Sequence, residues 1–238
     1  MKMQKIFASL LVLGVVSGAA VFADDAAKTQ CANNTTQAQR ASDDWTFFQI
    51  GFWFDVPSYT KNSNVYGIKT GEPVSSGSGN VCGLEASWIA AATDNINGAQ
   101  GSWVSCFNKK IDGVQASLGF CRNTEYVRGA QASFVCLAGD VHGLQTSAVN
   151  VSGNVIGCQP AAILNHSKNM NGVQLAVITN VSDKVTGFQS SLVNSATDVN
   201  GMQFGLINMS KGKSLQFGLL NYIDNAAVPL LPLVNFKF

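Results

Sequence analysis

Residues 201–221 read GMQFGLINMSKGKSLQFGLLN and contain one seven-residue phrase twice. MQFGLIN begins at Met202 and LQFGLLN begins at Leu215, so that Gln, Gly and Asn recur at the same places of the phrase. A short, fixed period is typical of folds in which each repeat packs only on its neighbours. If the chain has such a fold, the same phrase should recur at the same period outside this stretch.

The same phrase extends backwards as twelve repeats aligned on Gly-x-Gln. The first residue of each repeat, position 0, is Phe47, Gly67, Gly83, Gly98, Gly113, Gly129, Gly143, Gly157, Gly172, Gly187, Gly201 or Ser214. From Gly83 onward the spacing is nearly constant. Positions −2, +1, +5 and +6 are mostly apolar, and position +4 is small. Gln occupies position +2 and Asn closes the later repeats, giving two series: Gln115, Gln131, Gln145, Gln159, Gln174, Gln189, Gln203, Gln216; and Asn150, Asn165, Asn180, Asn194, Asn208, Asn221.

These repeats predict β-structure. Alternating apolar positions and β-branched residues are typical of strands, and the Gly, Asn, Asp and Ser between them are typical of turns. About 14–15 residues at roughly 3.3 Å each make a circuit of about 48 Å, enough for two short strands and two turns. The sequence predicts an all-β, single-domain, flattened parallel β-solenoid with coils of about 14–15 residues. In-register stacking would place the Gln and Asn residues in amide ladders.

Residues 1–23 have the pattern of a secretory signal peptide. Lys2 and Lys5 precede an apolar run, and Val21 and Ala23 supply the small residues that a signal peptidase requires. We therefore predict cleavage between Ala23 and Asp24. Export places the protein in the periplasm, the outer membrane or the cell surface of a bacterium.

Four segments follow from these patterns. They are a signal peptide (1–23), a polar leader (24–46), the repeat β-solenoid (47–221) and a C-terminal cap (222–238). The last segment contains Pro229 and Pro232 and interrupts the repeat, as expected of a segment that covers the final coil.

Composition and charge exclude some functions. Only 12% of residues are charged and the formal net charge is +1, so the chain has no basic footprint for nucleic acid. The two histidines, His142 and His166, occupy different repeat positions. Acidic residues such as Asp112, Asp140, Asp183 and Asp198 lie in turns between repeats. No set of residues has the arrangement of a catalytic or metal site. We expect no enzymatic activity and no cofactor.

The cysteines suggest a cross-link between coils. Cys106 and Cys121 occupy position +8 of adjacent repeats, and Cys136 follows at position +7. Stacked strands bring equivalent Cα atoms to about 4.8 Å, which is inside the range of a disulfide. Cys106 would pair with Cys121, or Cys121 with Cys136. The alternative is three buried thiols that pack as small apolar groups.

An antiparallel outer-membrane β-barrel is the alternative fold. It also suits a signal peptide, alternating apolar positions and an ending with Val234, Phe236 and Phe238 on one face. Up and down strands of a barrel should differ, however, and consecutive repeats here do not alternate. Trp88 and Trp103 share position +5, and all four tryptophans lie in the first half of the chain. These features favour the solenoid.

Three features together resemble a family of bacterial surface-repeat proteins. They are NVYG at residues 64–67, the tandem V-x-G-x-Q-x-G/S-L-x-N repeats and the ending LPLVNFKF. Proteins of that family carry tandem V-x-G-L-Q-L-G-L-x-N repeats behind a signal peptide, and the similarity covers residues 47–238. GIKTGEPV at Gly67 and GCQPAAIL at Gly157 depart from the pattern. The resemblance implies an exported, surface-associated protein without known catalytic activity.

The expected function is therefore structural or adhesive. A solenoid of this kind would present ladders of Gln, Ser, Thr and aromatic side chains to a partner, which is a protein, a glycan or the outer membrane. Because both alternating faces are partly apolar, a homo-oligomer is also consistent with the sequence.

Overall fold

The computed structural model of the protein describes residues 45–54, 56–224 and 226–237. The predicted signal peptide, residues 24–44 of the predicted leader, and Cys31 lie outside these described residues. The described chain divides into two compact units. The first compact unit contains residues 45–118 and 128–130, and the second contains residues 119–127 and 131–237.

Twelve β-strands make up most of the described chain. They are β1 (Trp45–Gly51), β2 (Asn64–Gly71), β3 (Val74–Ser87), β4 (Ala90–Ser102), β5 (Ser105–Ser117), β6 (Phe120–Ala132), β7 (Val135–Ala176), β8 (Thr179–Ser190), β9 (Val193–Phe204), β10 (Ile207–Ser210), β11 (Ser214–Ile223) and β12 (Leu230–Phe236). A 3-10 turn, Ser58–Thr60, follows β1. The long strand β7 runs through nearly three repeats, because the chain bends there without leaving the ladder of backbone hydrogen bonds.

In the first compact unit, β2 to β5 pair in parallel, each with the strand one repeat further on. Gly83 pairs with Gly98, and Gly98 pairs with Gly113. Gln100 likewise pairs with Gln115. Equivalent residues of successive coils therefore lie directly on one another.

The second compact unit has the same register. Gly172 pairs with Gly187, and Asn180 pairs with Asn194. Where a longer repeat meets a shorter one, residues 176–178 lie opposite residues 191–192, so the extra residue is taken up at the bend. In both compact units the paired coils run in the same direction, whereas the antiparallel alternative requires a reversal. The predicted class, an all-β solenoid of short, stacked parallel coils, is confirmed.

The glycine at position 0 is required by the close approach of successive coils. Gly113 has φ +143°, a conformation that side chains rarely adopt. A Cβ atom at Gly113 would also collide with the carbonyl oxygen of Gly98 in the coil below. The repeat therefore keeps Gly at this position for steric reasons.

One apolar column lies inside each coil, at position −2. In the second compact unit this column forms a buried cluster with Ala196, and its members are at most 2% exposed: Val141, Val155, Met170, Val185 and Val199. In-register stacking buries each of these side chains between its neighbours above and below.

The predicted cap, residues 222–238, contains β12, which runs antiparallel to β11. Pro232 has no backbone N–H, and Leu233 has φ +66° close to a shift of register. Both features interrupt the hydrogen-bonding edge of the strand, which discourages addition of a further strand. The last coil is thus covered by a segment that does not repeat its pattern.

Gly113→Ala tests the steric role of position 0. We expect the free energy of unfolding to fall by about 2 kcal/mol or more, because the added methyl group meets backbone. Urea denaturation followed by circular dichroism measures the change. Gly101→Ala is the matched control: a Cβ there would lie 4.0 Å from the nearest atom, the oxygen of Ala116, and the change should stay within about 0.5 kcal/mol. Equal destabilisation by both substitutions would contradict this account.

Candidate functional site: an uncharged apolar surface

The Gln side chains at position +2 form ladders inside the coils. In each of the following pairs Nε2 donates to the Oε1 of the Gln in the preceding coil, and all the side chains involved are at most 3% exposed. In the first compact unit, Gln115 donates to Gln100 at 2.8 Å. In the second compact unit the donor–acceptor distances are 3.1 Å for Gln145–Gln131, 2.8 Å for Gln159–Gln145, 3.0 Å for Gln174–Gln159, 2.7 Å for Gln189–Gln174, 2.8 Å for Gln203–Gln189 and 2.8 Å for Gln216–Gln203.

The closing Asn residues form a second ladder that also holds the bend of each coil. Nδ2 of Asn180 donates to the backbone oxygens of Gln174 at 3.3 Å and Ser190 at 2.9 Å. It also donates to Oδ1 of Asn194 at 3.0 Å. The Asn donors point towards the C terminus and the Gln donors towards the N terminus. The two ladders are therefore oppositely directed rows of amide dipoles.

The Gln and Asn residues singled out from the sequence are thus interior residues. Those in the two series named above are all 0% exposed. The expectation that the solenoid presents Gln to a partner is wrong. Amides stacked on identical amides satisfy one another in the interior, where an unpaired amide would be costly. Their role is structural.

On part of the second compact unit the outward side chains are uncharged and mostly apolar instead. Over six consecutive coils, the segments that begin at position 0 contain no Asp, Glu, Lys or Arg: 143–153, 157–167, 172–182, 187–196, 201–210 and 214–223. We define the apolar ridge as the exposed apolar residues at positions +1, +3, +5 and +6 of the last four coils: Val173, Leu175, Val177, Ile178, Leu192, Met202, Phe204, Leu206, Ile207, Leu219 and Leu220.

The apolar ridge is convex because it follows the bend of each coil. Phe204 ends β9 on one side of the bend, Leu206 lies in the bend, and Ile207 begins β10 on the other side. The side chain of Asn208 is buried within the bend, and the next residue, Met209, is exposed again. Apolar side chains therefore cover two sides of the coil and the bend between them.

Charged side chains lie on the remaining side of these coils. The exposed charged residues are Lys168, Asp183, Lys184, Asp198, Lys211 and Lys213, and they belong to the short segments between the uncharged segments. Acidic and basic residues are mixed there. The cross-section of the second compact unit is thus amphipathic, with an apolar ridge and a charged side.

The first compact unit has its own exposed apolar residues at the same bend. Trp88 and Trp103, at position +5, are 67% and 66% exposed. The backbone nitrogen of Trp103 donates to the oxygen of Trp88 at 3.3 Å, so the two residues lie on adjacent coils. Ile89 and Val104 follow them and are also exposed.

Two opposite charges replace Gln inside the first compact unit, which the sequence analysis did not anticipate. Lys69 and Glu85 occupy position +2, pair in register, and are 1% and 0% exposed. Nζ of Lys69 donates to Oγ1 of Thr93 at 2.8 Å. Glu85 accepts hydrogen bonds from Ser75 and Thr93 at 2.6 Å and from Gln100 at 2.7 Å. The pair continues the polar column, because two opposite charges lie in adjacent coils and both form a hydrogen bond with Oγ1 of Thr93.

Cys106, Cys121 and Cys136 are buried, and each is present as a thiol. Their Sγ atoms donate to backbone oxygens, at 3.6 Å for Cys106, 3.9 Å for Cys121 and 3.7 Å for Cys136. Burial raises the pKa of Cys136 to about 12. The two disulfide pairings remain predictions.

The histidines are not brought together as a site. His142 is exposed in one coil, and His166 is half-buried at a different position of the next coil. Within the described part of the chain, no group of three or more His, Cys, Asp or Glu side chains is placed to hold a metal ion. No helix in the same residues is long and apolar enough to cross a membrane.

Comparison with known proteins finds no relative: no protein-family model matches the chain, and no curated protein or solved structure is significantly similar. The resemblance to the surface-repeat family therefore depends on the quoted motifs alone.

Asn180→Ala tests the interior role of the Asn ladder. We expect the free energy of unfolding to fall by about 2 kcal/mol or more, because buried carbonyl groups lose their donor. Thermal and urea denaturation measure the loss. Asn171→Ala, at an exposed position, serves as the control and should change stability by less than about 0.5 kcal/mol. If Asn180→Ala were as stable as the wild type, the interior role of the Asn ladder would be contradicted.

The thiol pKa values predict a difference in reactivity. Burial raises the pKa of the Cys158 thiol as well, but Cys158 is only half-buried whereas Cys136 is fully buried. At pH 8 iodoacetamide should therefore modify Cys158 faster than Cys136, because only the thiolate reacts. The pKa of Cys136 is about 12 instead of 9.0, which lowers its thiolate fraction roughly a thousandfold. Peptide mass mapping measures both rates, and unfolding in guanidinium should equalise them. Equal rates in the native protein would contradict the burial of Cys136.

Proposed function

We propose that this protein is an exported, non-enzymatic, surface-associated repeat protein of a bacterium, which binds its partner through the apolar ridge. The ridge carries the proposal. Soluble monomers rarely expose contiguous apolar patches larger than a few hundred Å², and larger patches mark interaction sites. Eleven exposed apolar side chains on four successive coils form such a patch.

The distribution of polar groups supports binding over catalysis. The repeated Gln and Asn side chains donate and accept inside the solenoid. Ser182 likewise lies inside and donates to Gln174 at 3.0 Å. The repeat therefore directs its polar chemistry inwards, while hydrocarbon faces outwards. An element built in this way serves attachment or scaffolding.

Two features of the sequence support export. Lys2 and Lys5 followed by an apolar run and Ala23 match a signal peptide. The tandem repeats resemble proteins of the bacterial surface. A ridge of exposed Leu, Ile and Phe also suits a protein that acts at an interface and not free in solution.

Fractionation of a diderm bacterium that expresses the full chain with a C-terminal tag tests the proposal. We expect a processed chain that begins at Asp24, lies in the cell envelope and stays there after a wash with concentrated salt, because apolar attachment is not screened by ions. Mass spectrometry of the N terminus and immunoblotting of each fraction measure both results.

Two variants complete this experiment. Leu11→Arg interrupts the apolar run and should leave the uncleaved chain in the cytoplasm. The double substitution Leu206→Asp with Leu219→Asp should be exported and processed but released from the envelope. An unprocessed wild-type chain, or a processed chain that is fully soluble, would overturn the proposal.

A further inference from the structure

We propose that the partner of the apolar ridge is the hydrocarbon region of a phospholipid bilayer. The second compact unit would lie in the membrane surface with the ridge inserted and its charged side in water. This inference rests on the proposed function, since it names the partner of the same surface.

The chemistry of the ridge fits hydrocarbon. In each of six consecutive coils, the residues from position 0 to the second residue after the closing Asn include no Asp, Glu, Lys or Arg. The amides that would bind a glycan or a polar peptide are buried in the ladders. Hydrocarbon is a partner that such an uncharged, mostly apolar surface contacts without burying a charge.

The shape of the ridge distinguishes a bilayer from a second copy of the chain. Phe204 lies on one side of the bend, Leu206 lies in it, and Ile207 lies on the other side, and all three are exposed. A second copy packs against one flat side and leaves the bend and the other side in water. Fluid lipid surrounds a convex surface and covers all three.

Several backbone N–H groups at the bends of the ridge are already hydrogen-bonded, which hydrocarbon requires. Bends in a chain usually leave N–H groups for water, and water is absent from the acyl region. Here the nitrogens of Leu206 and Ile207 donate to the oxygen of Leu192, both at 3.0 Å. The nitrogen of Leu220 donates to the oxygen of Leu206 at 2.9 Å. Stacked coils thus pair the backbone even at the point that would insert deepest.

The charged side predicts how binding depends on lipid charge. The exposed lysines of this side, Lys168, Lys184, Lys211 and Lys213, are interspersed with Asp183 and Asp198. Lys211 also lies 3.5 Å from the carboxylate of Asp224, so the side has no uniform basic patch. Attraction to anionic lipids needs such a patch and is weakened by salt. Insertion of the ridge should therefore proceed on zwitterionic vesicles and be insensitive to salt.

Vesicle flotation with purified residues 24–238 tests the inference. The protein is kept in a mild detergent, which is removed in the presence of phosphatidylcholine vesicles at low or at high sodium chloride. We expect it to float equally in both salts. Leu206→Asp with Leu219→Asp should reduce the floated fraction at least about tenfold, because each added charge would enter hydrocarbon.

Asn171→Asp with Thr197→Asp is the matched control, since it adds the same charge at exposed positions of the charged side. It should float as the wild type does, and circular dichroism should show that both double variants are folded. The same flotation is run with vesicles that contain anionic phosphatidylglycerol, and flotation only with these vesicles at low salt would overturn the inference. A stable wild-type dimer in light scattering, lost in the ridge variant and with no flotation, would assign the ridge to a second copy.

Comparison with the fractionation experiment separates the two proposals. A chain retained in the envelope that does not float would leave the proposed function standing and remove lipid as the partner. A chain that floats but is never exported would support the lipid contact and overturn the surface function.

Discussion

The hydrogen bond between equivalent amide side chains of adjacent coils sets the rest of the structure. An unpaired buried amide is costly, and Gln174 pairs its amino group with the Gln of the preceding coil and its carbonyl oxygen with the Gln of the following coil. A slip of one residue in register would turn every Gln outwards and bury its neighbour instead. The ladders therefore fix the register, and the register gives the coils their common shape.

This constraint also explains why the apolar residues lie outside. A coil this short has few inward positions. Three of them are occupied by Gln at +2, by the closing Asn, and by the residue two places after that Asn, which is Ser in most coils, such as Ser182. Only position −2 remains for an apolar column, such as Met170 and Val185. The other apolar residues of each repeat must point outwards. The exposed ridge follows from the polar interior and is not a surplus of hydrophobic residues.

The period of the sequence was sufficient to predict the fold, because a short repeat with Gly and Asn at fixed places fits stacked parallel coils. It was not sufficient to predict which face is buried, since apolar residues occur at both parities. The sequence did contain a signal for the buried face, because inward positions keep the same residue from repeat to repeat whereas outward positions vary. Gln is unchanged at +2 from Gln100 onward, whereas position +1 changes from Val173 to Phe188 to Met202. A ladder needs identical partners, but an outward hydrocarbon surface does not.

The pairing of Lys69 with Glu85 could not be predicted from the sequence. The two residues are 16 positions apart and become neighbours only when one coil stacks on the next.

A ladder of identical groups has no natural end, and this explains why the last strand reverses direction. Gln216 donates to Gln203, but its own buried Oε1 receives no hydrogen bond. The residue paired with it in β12 is Asn235, which is 1% exposed and donates to the backbone oxygens of Asn221 at 3.2 Å and Pro229 at 3.1 Å. The cap thus satisfies the carbonyl groups of the final turn and leaves a single amide acceptor open. Another parallel coil would have satisfied that acceptor and created the same open end one step further. An antiparallel strand that carries Pro232 leaves this one acceptor unpaired and stops the stacking.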